Sequence, residues 1–269
     1  FQAEDGIRDC LLSRGLGDVY KRQTQISDIH SGSFDNKAKV EYAVDLINAQ
    51  ASDAIMFTGD LVNSRTSEML PWKSTFSKLK AKDGIFSILG NHDYGDYTRW
   101  PSKEDKTKNF KDMLKLHKEL GFQLLLDEAK FIKKKESQLA IIGVENWGKG
   151  FNQKGDLKKA TSKVKPEDFK ILLSHDPSHW EYEVIDDKLH YHLTLSGHTH
   201  GMQFGIEIPG FIKWSPIKWR YKYWAGLYEK AGQVLNVNRG FGYLAFPGRV
   251  GIWPEITVIK LKKGKPHLG

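Results

Sequence analysis

From residue 24 onward, short apolar runs alternate with longer segments in which apolar residues recur every three to four positions. The runs TQIS, AIMF and GIFS each end in polar residues and are separated by segments of helical periodicity. This βαβαβ order is typical of parallel strands joined by crossover helices, so it predicts an α/β fold. Helices are predicted over Lys37 to Ala49, 72–79 and 104–120. Later strands are predicted in the sequences FQLLL, FKILL, HLTLS, VLNVN and EITVIKLKK, and FIKKKESQLAIIGVE predicts a hairpin.

Polar side chains follow the predicted parallel strands at their carboxyl ends, the edge at which ligands bind in open α/β sheets. The first three strands are followed by DIH, GD and GNHD, and two later strands by SHD and GHTHG. The residues of interest there are Asp28, His30, Asp60, Asn91, His92, Asp93, His175, His198 and His200. Five strand ends are therefore expected to converge on carboxylates, an amide and imidazoles.

Seven of these residues have side chains that bind divalent metals: Asp28, His30, Asp60, Asn91, His175, His198 and His200. Seven ligands exceed the need of one ion, whereas two ions about 3.5–4 Å apart need this number when one carboxylate bridges them. We expect Asp60 to be the bridge, and the mixed nitrogen and oxygen donors favour Mn, Fe or Zn. Two such ions can activate a water and polarise a phosphoryl oxygen, so the pattern predicts hydrolysis of phosphoesters.

His92 and Asp93 are the predicted catalytic side chains. His92 follows the ligand Asn91 and is assigned to protonating the leaving oxygen, with a purely structural role as the alternative. Asp93 is assigned to orienting the His92 imidazole, with a turn-forming role as the alternative.

At these residues a family resemblance becomes visible. The motifs DIH, GDLV, GNHD, SHDP and GHTHG, in this order, resemble the motif set of the calcineurin-like metallophosphoesterase superfamily. The resemblance implies a four-layer αββα sandwich forming a single catalytic domain over residues 24–269. It also implies that Asp28, His30, Asp60 and His200 hold one metal ion, that Asp60, Asn91, His175 and His198 hold the other, and that His92 is the acid.

A subgroup is suggested by DIHSG, GHTHGMQ, RGFGYLAFPGR and PEI. These segments are similar to those of bacterial membrane-associated phosphodiesterases and UDP-2,3-diacylglucosamine pyrophosphatases. The similarity implies a phospholipid or nucleotide-linked lipid as substrate, and a bacterial protein that is membrane-associated at full length.

Composition narrows the class of protein. The 269 residues carry 41 Lys and Arg against 33 Asp and Glu, a net charge of +8, and contain one cysteine. A single cysteine, Cys10, excludes a disulfide scaffold and a zinc cage built on thiolates. Residues 1–23 lack an initial Met and resemble translated adapter sequence, so we expect them to be a non-native segment that has replaced the natural N-terminus.

A loop rich in aromatic and basic residues, residues 211–228, follows the last metal motif. Trp and Tyr beside Lys and Arg suit peripheral contact with a membrane, and a packed loop over the rim of the site is an equal alternative. Contact with single-stranded nucleic acid is disfavoured, because the basic excess is moderate and no nucleic-acid module is recognisable. No nucleic-acid partner is therefore expected.

The leading hypothesis is a dinuclear metal-dependent phosphodiesterase or pyrophosphatase acting on a phosphate-bearing lipid. A soluble general or cyclic-nucleotide phosphodiesterase is the alternative among enzymes. A non-catalytic scaffold stabilised by metals is the alternative from another class.

Overall fold

A computed structural model describes residues 7–13, 21–134, 137–150, 152–208 and 211–262. Its strands are β1 (Ile7–Ser13), β2 (Lys21–Ile26), β3 (Ala54–Phe57), β4 (Gly84–Ser87), β5 (Phe122–Leu124), β6 (Glu128–Lys134), β7 (Ser137–Gly143), β8 (Phe169–Leu173), β9 (Leu193–Ser196), β10 (Ile206–Ile208), β11 (Ile212–Trp214), β12 (Gly226–Lys230), β13 (Gln233–Val237) and β14 (Ile256–Lys262). Its α-helices are α1 (Lys37–Ala49), α2 (Lys73–Phe76), α3 (Lys103–Glu119), α4 (Leu157–Thr161) and α5 (Ser178–Tyr182).

The described strands form two six-stranded sheets and a separate two-stranded pair, β10 with β11. The first sheet has the order β1-β14-β2-β3-β4-β5, and the run from β2 to β5 is parallel. The second sheet has the order β12-β13-β9-β8-β7-β6, with parallel strands in the middle and an antiparallel hairpin at each edge. All five strands that precede the candidate ligands lie in the parallel parts.

Alternate side chains of each sheet belong to different cores. In β3, Ala54 and Met56 join a cluster shared with the second sheet, whereas Ile55 and Phe57 join a cluster shared with α1 and α3. The side chains of β7 also alternate between two clusters. Its outward residues pack with α4 and with Trp180 of α5. Because side chains alternate across a strand, this pattern means that two sheets pack face to face with helices outside both. The predicted α/β class and its αββα layers are confirmed.

Helix α1 illustrates how the outer layers form. Asn36 caps its N-terminus by accepting a hydrogen bond from the Lys39 N–H. The buried residues Val40, Ala43, Val44 and Ile47 recur at helical spacing. They form one apolar stripe that packs against the first sheet.

Some boundaries differ from the predicted ones. The predicted helix 72–79 is reduced to α2, since residue 72 ends the 3-10 helix Thr66–Trp72 and residues 77–79 leave the helix in a turn. Strand β2 begins at Lys21, so residues 21–23 pair with β14, and Gln23 also pairs with β3. The origin of residues 1–23 stays a prediction, and residues 1–6 and 14–20 lie outside the described residues. The predicted hairpin is present as β6 and β7, with its turn at 135–136 also outside them.

Within the described residues, no helix is both long and apolar enough to span a bilayer.

Candidate metal centre

The candidate ligands meet where the carboxyl ends of the two sheets face each other. Asp28 and His30 follow β2, Asp60 follows β3, Asn91 follows β4, His175 follows β8, and His198 and His200 follow β9. The sheets are tied together here, since the His198 backbone N–H donates to the Asp28 carboxylate at 3.0 Å. One spatial site therefore contains all seven predicted ligands.

Six of the ligands form two groups that could each hold a metal ion. Asp28, His30 and His200 make the first group, and Asp60, His175 and His198 make the second; within each group the ligand atoms lie within 4.8 Å of one another. The Oδ2 atom of Asp60 is 3.2 Å from Nε2 of His175 and 3.5 Å from Nε2 of His30. Because it faces both groups, Asp60 occupies the position of a bridging ligand.

Asn91 belongs to the second group by its amide oxygen. Its Oδ1 lies 2.9 Å from Nδ1 of His198, and its Nδ2 donates to the Tyr97 hydroxyl at 2.8 Å. The oxygen end of the amide lies toward the group, and the nitrogen end lies toward Tyr97. The oxygen is therefore the atom presented to a metal ion.

The backbone at the ligands adopts a conformation that side-chain-bearing residues rarely take. Positive φ values occur at Asp28 (51°), His30 (46°), Asp60 (60°), His198 (71°) and His200 (50°). A non-glycine residue in this region costs on the order of 1–3 kcal/mol, and such strain clusters at functional sites.

Two glycines allow the close approach of these loops. A Cβ atom at Gly90 would collide with the Asp60 carboxylate, and one at Gly197 would collide with Ser27 and Asp28.

The residues present fit divalent metal ions. Nε2 of His30 and Nε2 of His200 are buried and have no hydrogen-bond partner among the described atoms, although each faces a carboxylate. A buried imidazole nitrogen without a partner is costly unless something binds it. Carboxylates, an amide oxygen and imidazoles together suit divalent transition ions.

The pKa values of the buried carboxylates also fit a site for divalent metal ions. Burial raises the pKa of Asp28 and Asp60, but the imidazoles of His200 and His175 outweigh it and hold both pKa values below the usual range. Burial lowers the pKa of His30 to about 3. The pKa of His175 shifts in the opposite direction from that of His30, because the Asp60 charge overcomes the effect of burial and raises it to about 10. The low pKa of Asp60 therefore reflects positive charge beside it, which the His175 imidazole supplies here and a divalent ion would supply when bound.

Hydrogen bonds on the far side of each ring select the nitrogen that faces the centre. Nδ1 of His175 donates to the Thr58 carbonyl at 2.7 Å, which leaves Nε2 toward Asp60. Nε2 of His198 lies 2.7 Å from the Tyr221 hydroxyl and 3.5 Å from Asp176, which leaves Nδ1 toward Asn91. Such partners fix the tautomer and orientation of a metal-ligating histidine.

His92 borders the first group, and its ring centroid lies 4.9 Å from that of His30. Its Nδ1 atom lies 2.6 Å from the carbonyl of Asn63, and its ring stacks on Tyr97. The predicted orienting role of Asp93 is not what the geometry shows, because Asn63 and Tyr97 hold the imidazole instead.

Asp93 joins two loops. Its carboxylate accepts hydrogen bonds from the backbone N–H groups of Gly90, Asp60, Leu61 and Val62. It therefore links the loop after β3 to the loop after β4. Burial and the Asp60 charge raise the pKa of Asp93 to about 7, against the opposing effect of the N–H groups.

The loop of residues 211–228 divides into a buried part and an exposed part. Tyr221, Trp224 and Ala225 pack with Ile252 in a small apolar cluster. Phe211 and Trp219 are 87% and 76% exposed, so only part of this segment is packed, and its contact with a membrane stays a prediction.

Sequence reasoning missed Asn63, Tyr97, Asp176 and Tyr221 as partners of the candidate ligands. Asn63 lies three residues after Asp60 and could have been found by extending that motif. Tyr221 lies in a separate loop, and no local pattern marks its contact with His198.

Comparison with known proteins agrees with this geometry. Residues 21–202 match the family model described as "Calcineurin-like phosphoesterase". The "Uncharacterized metallophosphoesterase YkuE" of Bacillus subtilis is 28% identical over 265 residues, which cover 96% of this chain and 84% of that protein. The "Transmembrane protein with metallophosphoesterase domain" of Danio rerio is 27% identical over 255 residues, covering 90% of this chain but only 53% of that protein.

Among solved structures, TT1561 of Thermus thermophilus is similar with a TM-score of 0.48 and 12% identity, covering 82% of this chain and 90% of that one. The family match spans more than half of the present chain and contains every candidate ligand. The chain belongs to the calcineurin-like phosphoesterase family.

Proposed function

We propose that this protein hydrolyses phosphoesters, as a phosphodiesterase or pyrophosphatase, with two divalent metal ions held by the seven ligands. The observation that carries the proposal is the position of Asp60 between the two ligand groups, 3.2 Å from His175 and 3.5 Å from His30. A shared carboxylate of this kind is what two adjacent ions require. The mixed nitrogen and oxygen donors favour Mn, Fe or Zn at both positions.

When bound, the two ions would supply an activated water and neutralise charge on the phosphoryl oxygens. The chain's own part is to hold the ligands in one arrangement before substrate arrives. The hydrogen bonds of His175 with the Thr58 carbonyl and of His198 with the Tyr221 hydroxyl do this by fixing which ring nitrogen faces the centre. The tight turns at Gly90 and Gly197 bring the Asp60 and Asp28 carboxylates to the same point.

His92 is the proposed general acid. Because Nδ1 of His92 donates to the Asn63 carbonyl, Nε2 is the atom left to carry a proton to the leaving oxygen. The His92 backbone N–H donates to Oδ1 of Asp60 at 2.9 Å, so the imidazole is tied to the bridging residue. Asp93 is proposed to support this arrangement through the loop backbone rather than through the imidazole.

The proposed substrate is a phosphoester carried by a lipid, at a membrane surface that the full-length protein contacts partly through residues 211–228. Support comes from exposed apolar residues close to the centre in sequence, beginning with Met202, which is 55% exposed and two residues after His200. A soluble general or cyclic-nucleotide phosphodiesterase is the competing function, and a metal-stabilised scaffold without activity is the second.

The test is hydrolysis of a bis-aryl phosphodiester and an aryl phosphomonoester with Mn, Zn, Mg or a chelator, beside an Asp60→Asn variant. Metal-dependent turnover of the diester that the variant lacks supports the proposal. Two bound ions without turnover of these esters, of a lipid pyrophosphate or of a cyclic nucleotide would favour the scaffold. Turnover of the soluble esters and cyclic nucleotides but not of lipid phosphoesters would favour the soluble enzyme.

A further inference from the structure

We propose that the outward face of the β10–β11 pair, extended by Phe204 and Val250, docks on an anionic lipid bilayer. The proposal locates and extends the membrane contact proposed above, and it rests on that part of the proposed function. It does not depend on the hydrolytic activity, so docking and hydrolysis can fail separately.

The exposed apolar side chains are concentrated in one part of the chain. Of the fifteen large apolar side chains that are exposed among the described residues, eleven lie between residues 202 and 253. The other four, Tyr42, Leu70, Tyr97 and Tyr182, are far apart in sequence. Scattered exposed apolar residues need no explanation, but a concentration of them marks a site of interaction.

In this strand pair the apolar side chains face solvent, and the residues between them face the protein. Phe204, Ile206 and Ile208 alternate along the segment that ends in β10 and are about half exposed, while the residues between them, Gly205 and Glu207, face the protein. On the partner strand Ile212 lies opposite Ile208 and is 48% exposed. An isolated bridge places Val250, also about half exposed, beside Phe204. The apolar face therefore points to solvent.

Polar contacts on the inward side fix this orientation. Glu207 accepts a hydrogen bond at 2.8 Å from Arg239, whose guanidinium is buried and also pairs with Glu255. Gln203 donates to the carbonyls of Phe246 and Gly248. A shift of one residue would turn every side chain over, and it would break these buried contacts.

The charge of the surrounding segment indicates which kind of partner binds the docking face. Residues 211–228 carry four bases and no acid, and Glu207, the one acid in 202–208, is engaged by Arg239. Trp219 is 76% exposed between Lys218 and Arg220. Two copies of such a surface would repel each other, whereas aromatic rings and bases together suit the headgroup region of an anionic bilayer.

The docking face is attached to the metal centre by short links. Strand β10 begins six residues after His200, and Ser215, directly after β11, donates to the Gly201 carbonyl at 2.8 Å. Tyr221 of the same loop reaches His198. A bilayer bound at this face would therefore hold the metal centre at a fixed position relative to the membrane surface.

Flotation of the protein with phosphatidylcholine vesicles, with and without phosphatidylserine, tests the proposal. The double variant Ile208→Ser/Ile212→Ser should lower partitioning onto the anionic vesicles at least about tenfold, since each isoleucine loses apolar burial. The matched control Tyr42→Ser/Leu70→Ser removes two exposed apolar side chains elsewhere and should bind as the wild type does. Both variants should keep the wild-type thermal midpoint and turnover of a soluble diester.

A second arm tests the charge. Lys218→Gln, next to the exposed Trp219, should weaken binding to anionic vesicles about fivefold, as expected for one base near the surface. The control Lys108→Gln/Lys111→Gln, on exposed positions of α3, should change binding little.

Three results would overturn the proposal. The first is that the wild type fails to float with anionic vesicles. The second is that the Ile208→Ser/Ile212→Ser variant floats as well as the wild type. The third is a concentration-dependent dimer in sedimentation velocity that the same variant dissociates, because the face would then belong to a second copy of the chain.

Discussion

The hydroxyl of Tyr221 lies 2.7 Å from Nε2 of His198 and 3.2 Å from the Asp176 carboxylate. This contact joins the loop after β11 to a candidate metal ligand. It also holds the His198 ring so that Nδ1 faces Asn91 and His175.

Replacement of Tyr221 by Phe should weaken binding at one of the two metal positions. Loss of such an outer partner typically costs 10- to 100-fold in metal affinity, so we expect about a tenfold weaker second ion and an unchanged first one. Competition with a chromophoric chelator measures both affinities. Tyr42→Phe, on an exposed tyrosine, is the control, and equal affinities in both variants would contradict the positioning role.

His92→Gln should leave both ions bound and lower kcat by about 10²–10⁴. If His92 protonates the leaving oxygen, the loss should be larger for an alkyl ester than for an aryl ester, because an aryloxide needs little protonation. Steady-state kinetics on a matched pair of diesters checks this, together with metal content. An equal loss for both esters would indicate that His92 only supports the site.

Asp93→Asn should destabilise the fold as well as impair activity. The buried carboxylate accepts from four backbone N–H groups, and an amide would turn a donor toward some of them. We expect a loss of about 2–4 kcal/mol in the free energy of unfolding, measured with urea. Asp112→Asn, at an exposed position on α3, should change it little. Wild-type stability with reduced kcat would instead restore a direct role in orienting His92.

His117 lies away from the metal centre and should make the free energy of unfolding depend on pH. It is buried beside Phe57 and Phe122, hydrogen-bonded to Ser87, and burial lowers its pKa to about 3. The unfolded chain, with a histidine pKa of about 6.5, then binds a proton that the folded chain does not. The free energy of unfolding should therefore fall as pH drops below 6.5, and this residue should contribute about 2 kcal/mol between pH 7 and pH 5.

Urea titrations of His117→Gln at the two pH values, with chelator present throughout, measure that contribution. The variant should lose less stability than the wild type on acidification. Equal losses in both proteins would show that His117 is not the group responsible.

The strand ends explain how much of the site the sequence predicted. All seven proposed ligands follow directly after apolar runs, and parallel strands bring their carboxyl ends to one edge. Local pattern and one topological rule were therefore enough to place Asp28 and His200 together, although 172 positions separate them in the chain.

Other features depend on contacts that no local pattern encodes. The Tyr221 contact joins two separate loops, so only the tertiary structure could identify it. The β10–β11 pair was not predicted, because each strand has only three residues and β11 lies in a segment interpreted as a loop. Its apolar side chains Ile206 and Ile208 point outward. Membrane contact and a packed loop were equal alternatives for residues 211–228, and within that segment Trp224 packs inside against Ile252.

The central claim is that Asp60 is shared by two metal ions. Anomalous diffraction from crystals of the Mn-loaded protein tests this most directly. The account predicts two peaks about 3.5–4 Å apart, one against Asp28, His30 and His200, the other against Asn91, His175 and His198, with Asp60 touching both. A single peak at saturating Mn, or two peaks of which only one contacts Asp60, would contradict it.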